Sequence, residues 1–119
     1  METHSYGEFS LQMHQQMSTQ RTAASVMIEV THRCPLKCAH CYNNLPMGDQ
    51  QAANGEITYA EYCRILDELA ERGSLWVCFS GGEIFARRDF LDIYTYAKQR
   101  GFLITLFTNA TLITERIAD

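Results

Sequence analysis

Three apolar runs of strand length, SVMIEVT at 25–31, LWVCF at 75–79 and FLITLF at 102–107, are kept apart by stretches with helical periodicity. Runs this apolar suit strands buried on both faces, and strands that alternate with helices build a parallel sheet joined by crossover helices. The first helix reads over 58–73. Thr58 and Glu61 stand at capping-box spacing, Tyr62, Ile65, Leu66, Leu69 and Ala70 recur on one face, and Gly73 stops it. The second starts at Asp89 as cap, carries Phe90, Ile93, Tyr94 and Ala97 on one face and stops at Gly101. Thr114 caps the beginning of a third in LITERIAD. The order is β–α–β–α–β–(α), an α/β chain whose strands run parallel.

Two segments stand outside this alternation. NNLPMGDQQAANGE at 43–56 is polar and rich in turn formers, and reads as a loop. Residues 1–24 read as an N-terminal extension, in which FSLQMHQQMSTQ forms a turn or two of helix, with Phe9, Met13 and Met17 as the stripe that packs against the sheet end. With 119 residues the chain is one domain at most. A net charge of −4 without any run of Lys or Arg argues against a nucleic-acid surface. No stretch approaches the roughly 18 apolar residues of a membrane span, and the start has no basic-then-apolar signal pattern. Five cysteines in a chain without export features read as reduced thiols, which points to the cytoplasm.

Each strand is followed by a distinctive segment: CPLKCAHC at 34–41 after the first, SGGE at 80–83 after the second, TNAT at 108–111 after the third. The C-terminal ends of parallel strands lie on one side of the sheet, where ligands bind in barrels and open folds alike. All three segments therefore converge on one site. Cysteines spaced C-x3-C-x2-C can hold three corners of an iron–sulfur cubane as thiolates and leave one iron open. The glycines of SGGE permit a close approach to backbone, and Glu83 is an anion suited to an ammonium group. The alternative is a zinc- or cluster-binding interaction module, its zinc completed by His32, His40 or Cys63, although zinc motifs favour C-x2-C pairs. Cys63 and Cys78 read as small core residues, and Arg87 and Arg88 as a solvated helix start.

The combination resembles the radical S-adenosylmethionine (radical SAM) enzymes. CPLKCAHC is similar to their cysteine motif, and the resemblance implies that Cys34, Cys38 and Cys41 ligate a [4Fe–4S] cluster. It also implies that His40 contacts adenine and that Gly81, Gly82 and Glu83 bind the methionine end of S-adenosylmethionine. Thr108 and Asn109 match the family's T-N-G turn, and serve either to brace that turn or to touch the cofactor. Ile84 replaces a common proline and Ala110 the glycine of that turn.

The implied fold is the first three βα units of a partial (β/α)6 TIM-like barrel, with residues 25–119 as the truncated core domain. The implied activity is reductive cleavage of S-adenosylmethionine to a 5′-deoxyadenosyl radical that abstracts hydrogen, with a reductase as electron donor. IEVTHRCPLKCAHCYN and FSGGEIFARRDF look most like the subgroup with a C-terminal auxiliary-cluster (SPASM-type) domain, which includes peptide-modifying enzymes, so a peptide or protein substrate is implied. The chain is expected to be part of a longer enzyme and, isolated, to self-associate through FLITLF.

Overall fold

A computed structural model of the chain describes residues 3, 5–43 and 45–118. The three apolar runs become β1 (Ser25–Glu29), β4 (Trp76–Ser80) and β5 (Leu103–Leu106), joined in the order β1-β4-β5 with both pairings parallel. Two further strands of two residues each, β2 (Arg33–Cys34) and β3 (Leu45–Pro46), pair parallel beside this sheet. The helices are α1 (Tyr6–Gln20), α2 (Gln50–Asn54), α3 (Tyr59–Glu71), α4 (Phe90–Gln99) and α5 (Glu115–Ala118), with a 3-10 turn at Ile84–Ala86.

The helical periodicity is realised residue by residue. Thr58 and Glu61 close a reciprocal capping box on α3, with Glu61 N–H on the Thr58 hydroxyl at 3.3 Å and Thr58 N–H on the Glu61 carboxylate at 2.8 Å. Tyr62 and Leu66 of α3 and Phe90, Ile93 and Ala97 of α4 are buried against Val77 and Phe79 of β4. Val26, Ile28, Ile104 and Leu106 pack around them. Phe90 holds Phe79 and Phe85 edge-on at 5.5 and 5.4 Å between ring centroids, a geometry the aromatic quadrupole favours. Gly73 and Gly101 end the two helices at positive φ, +85° and +89°.

The strand order advances steadily in one direction. Right-handed crossovers then place α3 and α4 on the same face, the winding of a barrel rather than of a doubly wound sheet. Burial on both strand faces, expected from sequence, is therefore seen on one face only. On the other, Met27, Leu103 and Phe107 stay 59%, 56% and 55% exposed. The extension is also more helical than expected. Ser5 and Glu8 form a second capping box, and α1 runs fifteen residues with none fully buried. Tyr6, Met13 and His14 of α1 line a shallow cavity with Ser25, Trp76 and Cys78, so the helix crosses the foot of the open face. Among the described residues no helix is long and apolar enough to cross a membrane.

The segment 43–56 is not a plain loop, since it holds β3 and α2, the latter capped by Asp49 on Ala52 N–H at 2.8 Å. Asp89 stands at the N-cap of α4 but gives no side-chain cap, because Arg87 takes both of its carboxylate oxygens, at 3.0 and 2.7 Å.

Candidate functional site

The site begins where regular sheet pairing ends. Past β1 and β4 the two chains stay zipped: Val30 N–H donates to Ser80 O at 2.9 Å, Gly82 N–H to Thr31 O at 2.8 Å and Glu83 N–H to Arg33 O at 2.9 Å. SGGE thus runs directly along the residues leading into Cys34. Both glycines are demanded by that approach. A Cβ at Gly81, whose φ is +148°, would lie 2.3 Å from Thr31 O, and one at Gly82 would lie 2.6 Å from the carbonyl oxygens of both His32 and Arg33. What the missing side chains make room for here is the backbone of the cysteine loop.

Glu83 ends this zipper with a fully buried side chain. Its carboxylate accepts from Phe85 N–H at 3.1 Å, from the Thr108 hydroxyl at 2.7 and 3.0 Å and from Asn109 N–H at 2.8 Å. A buried carboxylate is tolerated when such donors replace water. Asn109 in turn donates from Nδ2 to Cys34 Sγ at 3.4 Å, while its Oδ1 accepts from Thr111 N–H at 3.0 Å and from the Thr111 hydroxyl at 2.6 Å. Ala110 sits at φ +63°, the left-handed region that a glycine adopts freely, at a cost of about 1–2 kcal/mol for a residue with Cβ. Ile84, in place of the common proline, occupies the first position of the 3-10 turn, where proline also fits, and fills the core with its side chain.

Cys34, Cys38 and Cys41 are free thiols on one loop, the first buried and the other two exposed. Cys34 Sγ also accepts from Leu36 N–H at 3.4 Å, Cys41 Sγ accepts from Asn43 N–H at 3.4 Å, and Cys41 N–H donates to Cys38 O at 3.1 Å, a tight turn. The loop is tied back to β1 by Glu29, which accepts from the Tyr42 hydroxyl at 2.6 Å and from Asn43 Nδ2 at 3.3 Å. That bond to Glu29 raises the Tyr42 phenol above its ordinary range. His40 is exposed between Cys38 and Cys41, and exposed His32 lies 3.6 Å from Glu29. Among the described residues no three His, Cys, Asp or Glu side chains converge as ligands of a single ion must. Cys63 lies on α3 and Cys78 on β4, both half-buried, and burial raises the Cys78 thiol.

A set of three thiols with N–H donors already on two sulfurs suits a multi-iron cluster, whose thiolates sit at separate corners and take hydrogen bonds from the protein. By donor chemistry, these residues fit such a group.

One network behind the site was missed in the sequence. Arg87 is buried, not solvated: it donates to Val30 O at 3.2 Å and Ile57 O at 2.8 Å, grips Asp89, and lies 5.2 Å over the Tyr62 ring. Arg88 is exposed as expected. Glu56 forks onto Arg33 at 2.8 and 3.0 Å and accepts from the Thr31 hydroxyl at 2.5 Å, with Arg87 at 4.0 Å. Burial works against the Glu56 charge, but the bonds from Arg33 and Thr31 and the charges of Arg33 and Arg87 prevail and hold its carboxyl below the usual range. These side chains clamp both ends of the segment 31–33 that leads into Cys34. A polar run ending in Glu56 gives no hint of a partner across the fold.

The chain is 41% identical over 96 residues to the PqqA peptide cyclase of Bradyrhizobium diazoefficiens, covering 80% of this chain and 24% of that protein. It is 36% identical over 103 residues to the PqqA peptide cyclase of Granulibacter bethesdensis, covering 87% and 27%, and 38% identical over 97 residues to that of Streptomyces rochei, covering 81% and 26%. The chain therefore spans about a quarter of the length of these relatives. No solved structure matches it. The family model of the radical SAM superfamily matches residues 28–119, from the middle of β1 through every segment of the site, and the chain belongs to that superfamily.

Proposed function

We propose that this chain is the cofactor-binding part of a radical SAM enzyme that modifies a peptide. The observation that carries the reading is the continuous hydrogen-bonded line from Glu83 through Asn109 to Cys34, which joins the three post-strand segments at one end of the parallel sheet. The peptide substrate is supported by the names of the relatives, cyclases of the PqqA peptide. The steady strand order supports a partial (β/α)6 barrel, of which these are the first units.

Cys34, Cys38 and Cys41 hold a [4Fe–4S] cluster as thiolates and leave one iron for S-adenosylmethionine. When bound and reduced by a reductase partner, this pair of cofactors supplies a 5′-deoxyadenosyl radical for hydrogen abstraction from the substrate. Gly81 and Gly82 hold the strand end against the cysteine loop, so that Thr108 and Asn109, anchored on the buried Glu83 carboxylate, form the rim that receives the methionine end. Glu83 provides the negative charge that favours the ammonium group there. His40, exposed between two ligating cysteines, faces the adenine.

The ligand set is tested by single alanine replacement and iron analysis after anaerobic reconstitution. Cys34→Ala, Cys38→Ala and Cys41→Ala are expected to lose the cluster, whereas Cys63→Ala and Cys78→Ala keep it. Loss of the cluster in Cys63→Ala would contradict the three-ligand assignment.

A further inference from the structure

We infer that Asn109 is a positioning residue for the cluster: its side-chain amide donates to Cys34 Sγ and makes the cluster easier to reduce. The inference rests on the reading that Cys34, Cys38 and Cys41 hold an iron–sulfur cluster.

The amide's orientation is fixed by its surroundings. Thr111 N–H can only donate, so the Asn109 atom it meets at 3.0 Å is the oxygen, and the NH2 group is turned to Cys34 Sγ at 3.4 Å. The residue's backbone is held as firmly, with Asn109 N–H on the buried Glu83 carboxylate at 2.8 Å and the neighbouring Thr108 hydroxyl on the same group. The other N–H groups on ligating sulfurs, those of Leu36 and Asn43, belong to backbone of the cysteine loop itself, each two residues past its cysteine. Asn109 reaches Cys34 from 75 residues away, with a donor that a side-chain substitution removes.

Hydrogen bonds to cluster sulfurs are among the levers that set a cluster's potential. In a one-electron reduction, with the electron supplied by an external reductant such as dithionite, the cluster gains one negative charge and no bond is made or broken. A donor aimed at a ligating sulfur stabilises that added charge more than it stabilises the oxidised form. Removing the donor then makes reduction harder without removing a ligand.

The test is a redox titration of the anaerobically reconstituted protein, followed by electron paramagnetic resonance, with iron and sulfide measured on each sample. Asn109→Leu is expected to keep its iron and to lower the equilibrium constant for reduction roughly tenfold, a shift of about 59 mV to more negative potential. Asn109→Asp keeps the oxygen that Thr111 N–H uses, cannot donate, and adds a charge, so it should shift further in the same direction. Thr111→Val, which disturbs the turn and leaves the donor in place, should titrate like the wild type. An unshifted potential in Asn109→Asp, or loss of iron from both Asn109 variants, overturns the inference and leaves the proposed function standing. A wild-type protein that takes up no iron overturns both.

Discussion

Gly82→Ala is expected to destabilise the protein by about 2–4 kcal/mol and to block cluster incorporation, although it adds one methyl group. The methyl carbon would meet two backbone oxygens, of His32 and Arg33, at 2.6 Å, and neither is the movable end of a side chain. Relief requires the segment 31–33 to move off the strand end. That breaks the bonds from Gly82 N–H to Thr31 O and from Glu83 N–H to Arg33 O, and carries Cys34 with it. Gly48→Ala is the control, because its added carbon meets nothing within 4 Å. A surface change of that kind usually stays within about 0.5 kcal/mol. Urea unfolding of both variants, paired with iron analysis, checks the comparison. Equal stability and equal iron would mean that the close approach of these two chains is not what positions the site.

Arg87→Ala should cost about 2–4 kcal/mol, chiefly from the two carbonyls left without a donor, because the Asp89 side chain is 38% exposed and water can replace the lost charge there. Arg87 is buried, satisfies the carbonyls of Val30 and Ile57, pairs with Asp89 through both terminal oxygens and covers the Tyr62 ring. Its removal leaves two carbonyls without their donor and the Asp89 carboxylate without its charge partner. Arg87→Lys should recover only part of the loss, because one ammonium cannot reproduce the planar fork that reaches both carbonyls and the carboxylate. Denaturant melts of the two variants give the ranking. Wild-type stability in Arg87→Ala would show that the network is replaceable by water.

The sequence disclosed whatever rests on local period and neighbour spacing. Tyr62, Leu66, Phe90, Ile93 and Ala97 declared their helix faces, and each is buried on the side those faces imply. Thr58 and Glu61 declared a cap, and the cap is formed. The gathering of three segments at one sheet end also followed, since parallel strands leave their C-terminal ends together. Short elements escaped: α2 has five residues and β3 two, too few to display a period. Ser5 and Glu8 spell the same capping box as Thr58 and Glu61, a signal available in the sequence but not read there. Arg87 and Glu56 escaped for a different reason. An arginine beside a helix start looks solvated until a carboxylate at its N-cap and two carbonyls from elsewhere in the chain are folded around it, and none of that pairing has a local signature. The link from Asn109 to Cys34 is of the same kind, legible as a shared site and not as a bond.

If the cysteine loop and the segment from Gly81 to Asn109 form one cofactor site, as proposed, a cofactor bound beside the second must alter the cluster held by the first. Electron paramagnetic resonance of the reconstituted, dithionite-reduced protein with and without S-adenosylmethionine tests it most directly. The expected result is a reduced [4Fe–4S] signal whose shape changes on adding the cofactor, and a weaker response to the same cofactor concentration in Glu83→Ala at equal iron content. A cluster signal indifferent to S-adenosylmethionine, or a protein that binds a single zinc ion and no iron, would contradict it.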